Sequence, residues 1–457
     1  MTHRILLIAS QLLLAACAAA GAPEPAVGPA GDAIAITHVD VVPMTADTLL
    51  RDMTVIVRGE RIAAIGRADR TPVPAGARVI DGRGRFLVPG LVDAHVHLTN
   101  RMDVDTPMAA VMLAKGVTSA IDLGGSGLPG DSMRLRLRAE INAGRRPGPT
   151  LYMARAQVND SALTRQGGMR RVDEDHAAGW DLMKVYNRLS VDGYRGIMLR
   201  AHQLGMPVVG HVVRPAGLEG TIGSGQRGIV HLEEYLYQYF GFRSTDTLQV
   251  PEQTLFPEAI PYFVRITANA GTYVTPTLAI YAAMIAQGED LDRELARPEV
   301  RYIPAALYDG TWIRERNGRS LNFSHPVRQR NLRAGQAFIR SMVMPMHRAG
   351  VPLLVGTDAP VPGAVPGFAV HDELRTLVEL GLTPYDALAA ATRNAAAYLH
   401  RDDFGTVEAG RRADLLLLSA NPLKDIRHAQ SITGVMARGR WYDAAALQAM
   451  LAASARR

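Results

Sequence analysis

The chain has 457 residues, of which 47% are hydrophobic and 21% charged, and this balance excludes a largely disordered chain. The length suits one large domain accompanied by a smaller one. The formal net charge is +6 at pH 7, but the basic residues are scattered among 44 acidic ones, so no nucleic-acid partner is expected.

Residues 1–17 have the pattern of an export signal. A weakly basic start is followed by an apolar run from Ile5 to Leu14, which is too short to span a membrane. The small residues before Cys17 resemble a bacterial lipobox, in which the cysteine is acylated. Since Cys17 is the only cysteine, it cannot form an intrachain disulfide. We predict a lipoprotein signal peptide, export, and a lipid anchor on Cys17 at the bacterial cell envelope, facing the periplasm. Ordinary cleavage that leaves a free thiol is the alternative.

The segments next to the two chain ends share a β-rich character. Residues 18–32 are rich in Ala, Gly and Pro and predict a flexible tether. Residues 33–88 contain short β-rich stretches separated by turn residues. Residues 404–457 repeat this character and close with a terminal helix. We predict that 33–88 and 404–457 build one small β-sandwich domain from both ends of the chain.

Residues 89–403 alternate short apolar runs with helical stretches, which is typical of βα units and a parallel sheet. Eight strands can be placed, with ends at His97, Leu123, Arg155, Tyr186, Val212, Glu233, Leu278 and Asp358. Eight strands close a TIM-type (β/α)8 barrel, so the predicted fold class is α/β. In such a barrel the chemistry lies at the carboxyl ends of the strands.

The first predicted strand ends in two histidines. His95 and His97 project to the same face because side chains alternate along a strand, and two neutral imidazoles suit a metal such as zinc. Alone, the pair could equally lie on a solvated strand edge. Four further metal-competent or metal-adjacent residues occur at predicted strand ends, which favours a metal site: Lys184, His211, His231 and Asp358.

The order His-x-His, Lys, His, His, Asp resembles that of the metal-dependent amidohydrolase superfamily, and residues 89–97 are similar to its most recognisable segment. The likeness extends to residues 116–118, 122–125, 389–394, 405–410 and 413–415. Within the superfamily the chain most resembles the imidazolonepropionase-like branch, which includes the Xaa-Pro dipeptidases, or prolidase-like enzymes.

The resemblance implies a centre of two divalent metal ions, expected to be zinc. His95, His97 and Asp358 would bind the more buried ion. His211 and His231 would hold the second, and Lys184 would bridge both as a carbamate. Charge supports the modification, because an ammonium beside two dications would be repelled, whereas a carbamate reverses that sign.

The activity that the resemblance implies is hydrolysis of an amide C–N bond by a metal-bridging hydroxide, with Asp358 as catalytic general base and then acid. The expected substrate is a dipeptide, of Xaa-Pro type, or an N-acyl amino acid. Hydrolysis of a cyclic amide or lactone is the second enzymatic alternative, and a lipoprotein binding module without catalysis is the third. Nucleobase deaminases of the superfamily usually carry His-x-Gly-Glu after the fifth strand. This chain has His211-Val-Val-Arg214 there, which argues against deamination.

Three residues are candidates for substrate binding. Tyr186 shares a strand face with Lys184, Arg188 could pair with a carboxylate, and Tyr235 begins an aromatic stretch. A long segment at 281–345 precedes the last predicted strand and could act as a lid. Packing alone explains these aromatics and arginines equally well. The sequence leaves a homo-oligomer open, and it predicts no metal role for three other histidines: His202, His347 and His371.

Overall fold

The computed structural model describes residues 33–99, 107–125, 130–239 and 255–456. The predicted signal peptide, tether and lipidated Cys17 lie outside the described residues. Within those ranges, no helix combines the length and apolar character that crossing a membrane requires.

The described strands number fifteen. In chain order they are β1 (Ala33–Val41), β2 (Leu50–Arg58), β3 (Arg61–Arg67), β4 (Arg78–Asp81), β5 (Phe86–Pro89), β6 (Leu91–Val96), β7 (Val117–Asp122), β8 (Thr150–Met153), β9 (Met183–Val185), β10 (Val208–Gly210), β11 (Gly228–Val230), β12 (Tyr273–Thr275), β13 (Leu415–Leu418), β14 (Ile432–Ala437) and β15 (Arg440–Asp443).

The described α-helices number sixteen. They are α1 (Met108–Ala114), α2 (Asp131–Asn142), α3 (Arg165–Ala177), α4 (Val191–Leu204), α5 (Gly217–Gly223), α6 (Glu233–Tyr239), α7 (Ile260–Ala270), α8 (Leu278–Glu289), α9 (Leu291–Leu295), α10 (Ala305–Leu307), α11 (Gly318–Phe323), α12 (Pro326–Arg348), α13 (Phe368–Glu379), α14 (Pro384–Ala390), α15 (Arg393–Tyr398) and α16 (Ala444–Ser454).

Both ends of the described chain contribute strands to one sheet. Its order is β15-β14-β13-β5-β1-β2-β3, with β4 pairing in parallel with β1. The two ends meet where β13 runs antiparallel to β5. The predicted association of the chain ends is therefore observed in the strand pairing. The pairing gives one eight-stranded sheet, and a sandwich of two packed layers stays a prediction.

The strands of the middle segment form two parallel sheets, β6-β7-β8 and β12-β11-β10-β9. Isolated parallel bridges join Ala154 to Leu182 between the sheets, and join residues 353–359 to both β12 and β6. Every residue of β6 and β7 is buried, as expected for strands covered on both faces. Because seven strands are assigned to these two sheets, the closed eight-stranded barrel stays a prediction.

Two predicted strand ends are wrong. Glu233 and Leu278 are the first residues of α6 and α8, whereas the preceding strands end at Val230 and Thr275. The apolar pattern continues past each strand into the helix that follows, and hydrophobicity alone does not mark that boundary. Residues 278–348 hold five helices, α8 to α12, where the sequence predicted a long lid segment. Movement of that segment stays a prediction.

Candidate metal centre

His95, His97 and Asp358 form a compact group of ligand atoms. The Nε2 atoms of the two histidines lie 3.1 Å apart, and Asp358 Oδ1 lies 3.3 Å from His95 Nε2 and 2.9 Å from His97 Nε2. Ligand atoms of all three residues fall within 4.8 Å of one another. Two imidazole nitrogens and a carboxylate oxygen are suitable ligands for a divalent transition metal.

Strand pairing brings Asp358 to these histidines, although Asp358 lies 263 positions after His95 in the sequence. The Asp358 N–H donates to the carbonyl of His95 at 2.8 Å. The buried carboxylate of Asp93 accepts from the Thr357 N–H at 3.0 Å and from its hydroxyl at 2.6 Å. Asp358 itself has φ +58°, a conformation that costs about 1 kcal/mol or more for a non-glycine residue. The surrounding hydrogen bonds therefore hold Asp358 in place.

The ring of His97 is oriented by a glycine carbonyl. Its Nδ1 hydrogen-bonds to the carbonyl oxygen of Gly124, and the Gly124 N–H donates to Asp122 at 2.9 Å. Gly124 has φ +67°, and a Cβ atom there would lie 2.4 Å from the carbonyl oxygen of Arg155. Only glycine fits, and the Nδ1 bond leaves Nε2 facing Asp358.

Lys184, His211 and His231 form a looser group beside the first. The ring centroids of His211 and His231 are 4.9 Å apart, and those of His95 and His231 are 4.8 Å apart. Lys184 is 2% exposed, and its Nζ has no hydrogen-bond partner among the described residues. Burial lowers the pKa of Lys184 to about 7. A buried amine without a hydrogen-bond partner is costly, which makes Lys184 Nζ unusual among the polar atoms that line this site.

His211 is held by a buried glutamate. Glu234 Oε1 accepts from His211 Nδ1 at 2.6 Å, and the carboxylate also accepts from Asn187 Nδ2 at 3.0 Å and from the Val212 N–H at 3.2 Å. Burial lowers the pKa of His211 well below its usual range, which keeps the ring neutral. A carboxylate on Nδ1 places the proton there and frees Nε2 for a metal.

His231 is held by a hydroxyl. Thr277 Oγ1 donates its proton to the carbonyl of Pro276 at 2.8 Å, so it accepts from His231 Nδ1 at 2.7 Å. Both residues have positive φ, +70° for His231 and +51° for Thr277. Glu373 fixes the next turn by accepting from the N–H groups of Leu278 and Ala279 at 3.0 and 2.8 Å. Burial lowers the pKa of His231 to about 3, so this ring is also neutral.

The two groups open into one cavity of about 260 Å³. Five predicted metal ligands line it, and His95 lies beneath with no exposed surface: His97, Lys184, His211, His231 and Asp358. All six predicted ligands therefore lie at one place in the fold. The described histidines outside the set are elsewhere; His371, for example, hydrogen-bonds to the carbonyl of Lys115.

The three predicted substrate-binding residues have different positions. Tyr186 lines the cavity, with its ring centroid 4.0 Å from that of His211. Arg188 is exposed and outside the lining. Tyr235 is fully buried and its hydroxyl pairs with Thr267 Oγ1 at 2.8 Å, also away from the cavity. Tyr235 lies within α6, which turns its side chain into the core.

The sequence analysis missed several residues of the site. Glu233 and Arg319 line the cavity, and Glu234 and Thr277 orient two of the histidines. The sequence did contain a usable signal for Glu233 and Glu234, because these two adjacent acids lie within an otherwise apolar stretch. Arg319 is one of many arginines in residues 293–333, and no pattern in the sequence separates it from the others.

Comparison with known proteins identifies the family of the chain. A protein-family profile described as "Amidohydrolase family" matches residues 86–442. The chain is similar to an imidazolonepropionase of Idiomarina loihiensis, with 23% identity over 86% of this chain and 93% of that protein. It is also similar to an adenine deaminase of Deinococcus radiodurans, with 26% identity over 85% of this chain; the match spans 58% of that longer protein.

The fold is also shared with solved structures. The structure of a Xaa-Pro dipeptidase with bound methionine in the active site superposes with a TM-score of 0.63, at 19% identity, over 90% of this chain and 100% of that one. At that level of identity the likeness concerns the fold alone.

Proposed function

The chain belongs to the amidohydrolase family, and on this basis we propose that it hydrolyses the amide C–N bond of a dipeptide, of Xaa-Pro type, or of an N-acyl amino acid. The predicted enzyme class, a metal-dependent amidohydrolase, is confirmed at the level of the family. The observation that carries the substrate proposal is the cavity that five metal-ligand candidates line beside a tyrosine and an arginine, with His95 buried beneath it.

The residues present fit a centre of two divalent ions, with zinc the expected metal. His95, His97 and Asp358 would hold one ion, and His211 and His231 the other. Lys184 would bridge them as a carbamate, a role that its buried, unpartnered Nζ supports. When bound, the ions would supply an activated water near neutral pH and polarise the substrate carbonyl.

Two side chains of this cavity have further roles in the proposed reaction. Although burial opposes it, the hydrogen bond from His97 holds the pKa of Asp358 well below its usual range, so this group is a carboxylate. It would accept the proton of the attacking water and pass it to the leaving nitrogen. Burial raises the pKa of Tyr186 to about 12, so its hydroxyl stays protonated and would donate to the substrate.

Deamination is the competing reaction. The sequence argument against it concerned the residues directly after His211. The cavity nonetheless contains a carboxyl group, because Glu233 at the start of α6 lines it. The adenine deaminase similarity, at 26% identity, makes adenine a necessary member of any substrate panel.

A substrate screen tests the proposal. Protein loaded with zinc and bicarbonate would be assayed against dipeptides, N-acyl amino acids, cyclic amides, lactones and adenine. We expect turnover of a dipeptide or an N-acyl amino acid. Turnover of lactones or adenine alone would overturn the substrate proposal, and metal-free protein that stays inactive after loading would favour the non-catalytic binding module.

The closed barrel and the cellular location are further proposals. The bridges that join residues 353–359 to β6 and β12 support an eighth strand between them. Export and lipid anchoring rest on the sequence around Cys17 alone. Expression of wild type and Cys17→Ser in a bacterium should give membrane-bound and released protein, respectively. A Cys17→Ser protein that stays in the membrane fraction to the same extent would contradict the anchor.

A further inference from the structure

Arg319 is a cation placed in the wall of the metal cavity by an element remote from the metal ligands. It lies on α11, in the helical segment between β12 and residue 353, and lines the same cavity as Lys184 and Asp358. The predicted metal ligands do not need it. Its position therefore calls for another explanation.

The backbone that carries Arg319 is held rigidly. Asn317 is fully buried; its Oδ1 accepts from the Ser320 N–H at 2.9 Å, and its Nδ2 donates to Gln287 Oε1 at 3.0 Å. The Arg319 side chain is also tethered, because Nη1 donates to the carbonyl of Pro362 at 2.8 Å. Pro362 follows Asp358 by four residues (362 − 358). The guanidinium is thus fixed relative to the carboxylate of the metal group, and a guanidinium has further N–H donors besides the one that Pro362 engages.

The charge of Arg319 lacks a salt-bridge partner. Among the described residues, no carboxylate forms an ion pair with its guanidinium; Asp358 and Glu233 act on it only as nearby charges. Three other arginines of the same segment form ion pairs: Arg297 with Glu299, Arg314 with Asp292, and Arg333 with Glu289. Burial lowers the pKa of Arg319, but a guanidinium stays charged at neutral pH. An unpaired, partly buried cation facing a cavity is suited to an anionic ligand.

We propose that Arg319 binds the α-carboxylate of the amino acid released by hydrolysis, so that the enzyme selects amides of amino acids whose carboxylate is free. This inference rests on the proposed function and names the residue that recognises the free carboxylate of its substrates. The carboxylate of such a substrate is separated from the scissile nitrogen by one carbon atom, so a substrate held at the metal group presents it to the cavity wall. Tyr186 lines the same cavity and can add a hydroxyl donor. Lactones and cyclic amides without a carboxylate leave Arg319 unpaired.

A different role for Arg319 would be to neutralise Glu233, which lines the same cavity. The two roles predict different behaviour in a double variant. If Arg319 only neutralises Glu233, the change Glu233→Gln should restore the kinetics of Arg319→Gln. If Arg319 binds the substrate carboxylate, Glu233→Gln should restore nothing.

The first measurement needs no variant. Wild-type enzyme would be compared on a dipeptide or N-acyl amino acid and on its C-terminal carboxamide, which keeps the scissile bond and removes the negative charge. We expect kcat/KM to favour the free acid by about 10- to 100-fold, the range of a charge-assisted hydrogen-bonded pair. Equal kcat/KM for acid and carboxamide would overturn the role of Arg319 while leaving the proposed function intact. Absence of hydrolysis of every amide would instead contradict the proposed function.

Variants of Arg319 then test whether this residue causes the preference for the free acid. Arg319→Gln should lose the preference for the free acid, mostly through a higher KM, and Arg319→Lys should keep part of it. Arg316→Gln is the matched control, because Arg316 is exposed on the same segment and donates to the carbonyl of Asp309; its preference should equal that of wild type. A folded Arg319→Gln enzyme that retains the full preference, or rescue by Glu233→Gln, would overturn the proposal.

Discussion

The two halves of the candidate metal centre are built differently. His95, His97 and Asp358 are brought into contact by strand pairing, and their ligand atoms already lie 2.9 to 3.3 Å apart. Lys184, His211 and His231 converge on the same cavity, yet Lys184 Nζ has no partner among the described residues. The first half is thus assembled by the backbone, whereas the second contains a buried amine that no described side chain satisfies.

The partners of the histidines show the same difference. His97 is oriented by the carbonyl of Gly124, a backbone group that side-chain substitution cannot remove. His211 and His231 depend on the side chains of Glu234 and Thr277. Substitution of Glu234 or Thr277 should therefore disturb a histidine of the second half, whereas no side-chain substitution removes the carbonyl that orients His97.

The largest effect is expected for Asp358→Asn, which alters the first half. The amide cannot carry the proton, so kcat should fall by about 10²-fold or more while the fold persists. Steady-state kinetics measure kcat, and circular dichroism measures whether the fold persists. Asp402→Asn, at a fully exposed aspartate, is the control. A folded Asp358→Asn enzyme with near wild-type kcat would contradict a proton-transfer role.

Lys184→Ala should break the second half and spare the first. Without the bridging group we expect loss of one metal ion per chain and of most activity, with the other ion kept by His95, His97 and Asp358. Elemental analysis of the purified variant counts the ions. Lys424→Ala, at an exposed lysine, should bind as many ions as wild type. A Lys184→Ala protein that retains two ions would rule out the bridge.

Glu234→Gln should weaken the second half without removing a ligand. A neutral amide orients the His211 ring less firmly, and loss of such a partner lowers metal affinity by about 10- to 100-fold. Chelator titration should show one ion released more easily and the other unchanged. Glu258→Gln, at an exposed glutamate, controls for the change of charge. An equal loss of affinity for both ions would mean that Glu234 does not act on the second half alone.

Gly124→Ala tests how far the first half depends on its backbone. The added Cβ would lie 2.4 Å from the Arg155 carbonyl at φ +67°, so we expect destabilisation by about 2 kcal/mol. Gly59→Ala is the matched control: its φ is +53°, but a Cβ there meets nothing within 4 Å. Gly59→Ala should lower the free energy of unfolding by about 1 kcal/mol because of the positive φ alone. Chemical denaturation compares the two, and equal losses would mean that contact with Arg155 is unimportant.

The smallest effect concerns Glu373, which fixes the turn after Thr277. Burial raises its pKa to about 7 from an ordinary 4.5, so the folded state keeps a proton that the unfolded state releases. This contribution to stability is complete below pH 4.5 and is lost as pH rises through about 7. The slope is at most about 1.4 kcal/mol per pH unit. The free energy of unfolding of Glu373→Gln should vary less with pH over that range than that of wild type. An identical slope would show that Glu373 does not titrate there.

Much of the site was accessible from the sequence. All six predicted ligands lie at one place, because polar residues that end buried apolar runs are rare enough to be recognised along the chain. Substrate-binding residues were less predictable. Tyr186 was found because it shares a strand with Lys184, whereas Tyr235 and Arg188 were chosen by proximity in sequence and lie outside the cavity lining.

The sequence by itself determined the family, the alternation of strands and helices, and the residues able to bind metal, because hydrophobic periodicity and ligand chemistry are local properties. Only the tertiary structure decided which side chains complete the site. Glu234 and Arg319 approach it from α6 and α11, and long-range packing, not spacing along the chain, places them there. The single sheet built from both chain ends has the same origin, because the pairing of β13 with β5 joins residues more than 300 positions apart.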